Sequence, residues 1–389
     1  FNFSAKADQY WCGNLSSNKS GNGENIFVTC PVFSNGYDIS IYNCNVYFSE
    51  GAYLYIQNED ALNVDYGETA SRNLMTGYED AEWYGIITEK GYININHTDI
   101  YDVVRDQGTN LKYTIAGYSP RTFTFSDCTI NPVSSTSTSA YGIILTYSEL
   151  YYMYYTPSVD INDSYIGVNG SLASAVNLEY GYGQTPSGSF SMTGNHFEHT
   201  VGGAVGVYYV GILNGEFENN TFTDFGTGIY GFSSTADVYQ NEFTSTANGG
   251  QIKSVSTALL SLDYPQGENV FTVSSGPCVV LVGGDFDIQD GDNSFTNNDY
   301  PTSKYFEGFF SSAVTPANPF PQQCNSYYSS GATPVSPGDA ATYATDVTFS
   351  NNAIVYFDLY CPDAQQKQIS KNSIAADLYL GIKTGMKAK

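Results

Sequence analysis

Apolar residues along most of this chain fall in short alternating bursts separated by polar turns. "DVYQNEF" (237–243) shows the unit: Val238 stands three places before Asn241, and Phe243 two places after it. Asn-x-Phe returns at Asn195, Asn220, Asn241, Asn269 and Asn293, at intervals of 25, 21, 28 and 24 residues. Met192, Phe217 and Val238 hold the place three before the first three of these Asn residues. Gly-led or apolar strands precede the copies: "VGVYYVGI" (205–212), "TGIYGF" (227–232), "GQIKSV" (250–255) and "PCVVLV" (277–282). A looser form runs earlier, in "ISIYNCNVYF" (39–48), "ININHTDI" (93–100), "FTFSDCTI" (123–130) and "VDINDSYI" (159–166).

A period in the twenties without heptads is that of a solenoid. The pattern predicts an all-β parallel β-helix. Each repeat supplies two or three short strands and pairs them with the next coil at about 4.8 Å. Alternation turns Val, Ile and Phe inward. Asn suits the turn because it tolerates the left-handed conformation and its amide can bond the turn backbone. Stacked in register, such amides can also bond one another, and the Phe two places on starts the next inward strand. About ten coils give a rod of roughly 50 Å. A β-sandwich or propeller competes, but it favours hairpin turns at regular places. Asn35-Gly36, Asn169-Gly170, Asn214-Gly215 and Asn248-Gly249 do not follow the period.

The pattern divides the chain. Residues 1–35 read as an N-terminal cap over an exposed strand edge. Residues 36–300 are the coils. Residues 301–389 break the pattern with a Pro/Ser-rich stretch, then "DVTFSNNAIVYFDLYC" (346–361) as two strands, then a tail. Ile374, Leu378 and Ile382 give that tail an amphipathic helical spacing, and it holds five of the eleven Lys.

Charge narrows the functions. The chain has 389 residues, a net charge of −25 and only three Arg: Arg72, Arg105 and Arg121. Nucleic acid and anionic lipid bind through Lys and Arg, so neither is an expected partner, and polyanionic glycans fit poorly. No apolar run reaches membrane-spanning length, so no membrane insertion is expected. The opening "FNFSAKADQYWCGN" reads as a mature N-terminus. The seven Cys contain no CxxC pair, and their spacing permits bridges such as Cys12–Cys30 or Cys324–Cys361. The Asn-x-Ser/Thr sequons are about as frequent as this composition produces by chance, and carry little weight.

"NCNVYFSEGAYLYIQNEDALNV" (43–64) and "AEWYGIITEKGYININHTDIYDVV" (81–104) resemble the opening coils of secreted right-handed parallel β-helix proteins of the pectin-lyase-like superfamily. The likeness is nearest to bacterial cell-surface members exported by the type IX route. Trp83, Gly85 and Ile86, then Gly91 with Ile93 and Ile95, and Asn96 through Ile100 carry it, and it covers roughly 36–300. The family's sorting domain is not apparent in this sequence. The resemblance implies a secreted, cell-surface protein, and a family that includes both carbohydrate-active enzymes and repeat domains of adhesins and surface fibres.

Catalytic sets of such enzymes are incomplete here. "NHTD" (96–99) and "QIK" (251–253) are isolated echoes of the hydrolase pattern, and three Arg make a lyase's basic cleft hard to build. Glu216 and Asp237 each precede a motif Asn by four residues on adjacent coils. They would face outward about 5 Å apart, the separation of a retaining glycosidase pair. A solvated acidic face gives that spacing equally. Asp285, Asp287, Asp290 and Asp292 form the densest acidic cluster and could hold Ca²⁺, although Gly291 falls one place late for an EF-hand. His196 and His199 lie three apart without metal partners, and His97 takes a structural turn position. Tyr151, Tyr152, Tyr154 and Tyr155 cannot all point inward in one strand, so they either bind protein or sugar or pack back on the coils. The resulting expectation is a non-catalytic extracellular β-helix module of an adhesin, appendage or structural assembly, with protein partners, other copies or surface glycans as ligands. The alternative is a hydrolase or lyase on a neutral polysaccharide. No cofactor beyond Ca²⁺ is indicated.

Overall fold

The computed structural model describes residues 7–65, 71–103, 112–131, 140–147, 157–169, 174–180, 188–199, 204–212, 214–245, 251–262, 268–273, 279–287, 294–297, 306–309, 348–349 and 357–360. The expected tail helix over 365–389 lies outside them. Contacts divide the chain into two compact units, Phe1–Val201 and Gly202–Lys389.

In the first unit the described strands pair in parallel, and each coil supplies three. Ile39–Tyr42, Asn45–Phe48 and Leu54–Gln57 form one coil. Ala61–Asp65, Asn73–Gly77 and Ile86–Glu89 form the next, each strand pairing with its counterpart three strands earlier. Tyr92–Asn96, Thr98–Ile100 and Lys112–Tyr118 continue the cycle. This is the parallel β-helix that the spacing predicts.

Period-two alternation sorts the side chains. Ile41, Val64, Ile95, Phe125, Ile161 and Met192 are register partners coil after coil. All six are buried. A second buried column runs Val46, Met75, Ile100, Ile130, Ile166 and Phe197. Each such side chain contributes roughly 1.5–3 kcal/mol on burial, but only while neighbouring coils cover it.

The second unit is built alike. Thr221–Thr223, Glu242–Ser245 and Val270–Val273 pair in parallel. Phe222, Phe243 and Phe271 stack with ring centroids 4.9 and 4.7 Å apart and planes within 4° and 7°. The pairing continues past residue 300. Val279–Asp287 pairs with Phe306–Phe309, and that strand with Phe357–Tyr360.

The corners differ from the expected turn chemistry. The left-handed residue is the one before the motif Asn: Gly194, Asn219, Gln240 and Glu268 have φ of 69°, 53°, 57° and 50°. Asn43, His97, Asp127 and Asp163 hold the same corner earlier in the chain. The motif Asn has already turned inside. Asn195, Asn220, Asn241 and Asn269 are each 1% exposed or less. Asn241 Nδ2 donates to Phe217 O and Tyr239 O, both at 2.8 Å, and reaches Asn269 Oδ1 at 3.1 Å. Its Oδ1 accepts from Asn220 N and Nδ2 at 2.9 and 3.0 Å. In the first unit a corresponding column holds Cys44, Asn73, Thr98, Cys128, Ser164 and Asn195. Asn73 Oδ1 accepts from Cys44 N, Ser164 Oγ from Cys128 N, and Asn195 Oδ1 from Ser164 N, at 3.0, 3.1 and 3.1 Å. These side chains satisfy backbone groups that the corner leaves without a strand partner. Asn293 lies outside the described residues.

Gln9–Asn14 pairs in parallel with Asn25–Phe33, and a Cys12–Cys30 disulfide ties the two strands. Nearby, Trp83 is buried flat against Phe48, centroids 3.8 Å apart, and its indole N–H donates to Tyr101 O at 2.7 Å. Gly85 has φ of 80°, and a Cβ there would collide with Thr114 O, which explains a Gly two places after that Trp.

Candidate binding face

Outward positions of the first coils carry aromatic residues. Tyr10, Phe27 and Tyr47 are register partners on three consecutive strands. Phe27 and Tyr47 each sit between two inward residues, in "IFV" (26–28) and "VYF" (46–48), and Tyr10 precedes the buried Trp11, so the pleat forces all three outside. Tyr10 stacks on Phe27 and Phe27 on Tyr47, both with centroids 5.3 Å apart. Tyr78, in the short 3₁₀ turn Tyr78–Asp80, meets Phe27 and Tyr47 edge-on at 5.5 and 6.2 Å. Tyr10 is 68% and Tyr78 44% exposed. Thr76 extends the row on the next coil, and beyond it Tyr101 N donates to Met75 O at 2.9 Å.

A polar, mostly acidic margin borders these rings. Asn25 Nδ2 donates to Asp8 at 3.2 Å and Asn45 Nδ2 to Asn25 at 3.4 Å. Gln9 bonds Glu24, and Thr76 bonds Asp102. Glu79 hydrogen-bonds the Tyr78 hydroxyl and raises its pKa. One cationic node lies beyond, where Arg72 donates to Asp99 and Asp127, each at 2.9 Å, and Asp127 also holds His97. Burial pushes Asp127 up, but its bonds to His97 and Arg72 outweigh that and hold it below the usual carboxylate range. Arg121 pairs with Glu59 and lies 5.6 Å from the Tyr92 ring.

Elsewhere, carboxylates take Tyr hydroxyls from adjacent coils. Tyr55 donates to Glu89 at 2.8 Å, Tyr165 to Glu198 at 2.7 Å, and Tyr239 to Glu216 and, at 3.3 Å, to Glu218. Burial first, and the Glu89 bond second, push the Tyr55 phenol up to about 12. Burial alone puts Tyr180 at about 12, and Tyr165 and Tyr239 are raised by burial and by their Glu partners. These phenols titrate near 10 in the unfolded chain. Between the two values the folded chain binds more protons, so the stabilisation is intact below about pH 10 and disappears as pH climbs toward 12. Denaturant midpoints should therefore fall steeply across that window, and constant midpoints there would contradict the assignment.

The residues singled out by sequence fare differently. Glu216 and Asp237 are register partners, so the structure brings them side by side. Glu216 is exposed and bonded by Tyr239, and Asp237 is half-buried. Asp285 and Asp287 lie on Val279–Asp287 in register with Leu259 and Ser261, whereas Asp290 and Asp292 lie outside the described residues. Among the described residues no group of three or more His, Cys, Asp and Glu side chains could hold a metal ion. His196 stacks on Tyr165 at 5.4 Å and His199 is buried. Tyr151, Tyr152, Tyr154 and Tyr155 lie outside the described residues. The Tyr10–Phe27–Tyr47 row escaped the sequence reading, although an aromatic flanked by inward residues on successive strands was its available signal. Compared with known proteins, the chain matches no family model, no curated protein and no solved structure.

Proposed function

We propose that this chain is a non-catalytic, extracellular β-helix module of a cell-surface adhesin, appendage or structural assembly. The outward Tyr10–Phe27–Tyr47 row with Tyr78, exposed at Tyr10 and Tyr78 and half-buried between, carries the reading. Stacked rings at coil spacing offer rigid contact area at low entropic cost to proteins or sugar rings. The Cys12–Cys30 bridge is in keeping with an oxidising compartment. The Tyr hydroxyl on Glu216 gives that carboxylate a structural partner. The finer likeness, to pectin-lyase-like β-helices exported by the type IX route, rests on Trp83, Gly85 and the coils around them and belongs to this proposal.

The register of Glu216 with Asp237 favours a second reading, hydrolysis or elimination on a neutral polysaccharide. Incubation with a panel of neutral polysaccharides should release no reducing ends, while a glycan array and surface-binding assay report attachment. Reducing ends released by the chain, and lost in both Glu216→Gln and Asp237→Asn, would replace the first reading with the second.

A further inference from the structure

The aromatic face has an electrostatic counterpart within the same sequence. Residues 361–389 contain Lys367, Lys371, Lys383, Lys387 and Lys389 against two Asp, a net of +3 in a chain of net −25. The face is bordered by Asp8, Glu24, Glu79 and Asp102. Phe27 is stacked on both sides, so the rings open to a cation are Tyr10 and Tyr78, and Lys or Arg over a ring is a contact this chain already makes. Lys253 Nζ lies 5.1 Å from the Tyr230 ring on the adjacent coil, and Arg121 covers Tyr92. A cation over an aromatic face gains from the ring quadrupole, and neighbouring carboxylates add Coulombic attraction.

Building on the assembly reading above, we propose that the Lys-rich segment 361–389 of one copy docks on the acid-bordered Tyr10–Phe27–Tyr47–Tyr78 face of a second copy. The two surfaces differ, so the contact is heterologous and propagates from copy to copy instead of closing a symmetric pair. Charge complementarity selects the occupant: the rest of the chain is strongly acidic and repels such a face, and this segment is the cationic exception. It also makes association salt-dependent, because exposed charges are screened within about 3 Å at 1 M salt.

Sedimentation of the full chain tests this with two variants. Tyr10→Ser with Tyr78→Ser removes the exposed rings and keeps the segment. Replacement of the five Lys by Gln keeps the face and removes the charge. The unaltered chain should associate with rising concentration and dissociate in high salt. Each variant alone should associate at least tenfold more weakly, and Tyr118→Ser, at a distant exposed ring, should behave as the unaltered chain. Mixing the two variants should restore one functional contact and yield complexes that stop at pairs. A chain that stays monomeric at all concentrations overturns the proposal, as do association unchanged in either variant and variants that remain monomeric when mixed, the outcome of docking within one chain. Monomeric behaviour without sugar release defeats this inference alone, whereas sugar release defeats the non-catalytic reading and is scored independently.

Discussion

Replacing Asn241 by Leu should cost about 4 kcal/mol or more of unfolding free energy, read from denaturant titration. The side chain is 1% exposed, so no water replaces what is lost. Its amide nitrogen serves Phe217 O and Tyr239 O, and its oxygen holds Asn220 N and Nδ2. Each buried group left without a partner costs about 1–3 kcal/mol, and this substitution strands several at once. Asn241→Asp separates shape from chemistry: it keeps the acceptor, loses both donors and buries a charge, so it should be at least as damaging at neutral pH. A cost below about 1 kcal/mol for Leu would mean that the interior amide column is not what stabilises the corner.

The second large effect belongs to Phe243. It is fully buried and lies flat between Phe222 and Phe271. Phe243→Ala should cost roughly 3–5 kcal/mol for lost burial and the cavity left behind. Each of the two stacked contacts adds about 0.5–1.5 kcal/mol beyond area. Phe243→Leu should recover more than half of that loss, because Leu fills most of the volume without the stacking. Thermal and denaturant unfolding of the Ala and Leu variants check the order. Equal losses would assign the effect to ring stacking, and near-zero losses would remove Phe243 from the core.

Much of the fold was legible because the pleat is unforgiving. A strand of Ile93, Ile95 and their partners shows its buried face in the sequence, and the period of the Asn-x-Phe copies shows which strands pair. What misled was the corner. The left-handed position admits Gly, Asn, Gln, Glu, His and Asp in this chain, so it leaves no constant letter, whereas the buried position beside it favours Asn. The visible Asn was therefore read as the turning residue when it is the one being enclosed. In the first unit the column accepts Cys, Thr and Ser as well, since any short side chain with a hydrogen-bonding atom can reach the neighbouring backbone. That tolerance explains why the early repeats looked loose. The candidate face was harder still. Aromatic residues are abundant throughout, and only the register of three strands shows that Tyr10, Phe27 and Tyr47 lie in one row.

Because the amide of one winding caps the backbone of its neighbour, length changes in this chain are quantised. Deleting residues 220–240, one whole winding, would bring Asn241 to the place Asn220 occupied and Phe243 to that of Phe222, keeping the inward column apolar. Removing half as many would set polar corners against the oily interior. Such a molecule can lengthen or shorten during descent by whole turns, like a spring cut only at its coils, while single-residue slips inside a pairing occur as local bulges, as between Trp11 and Gly13 and between Thr257 and Leu259.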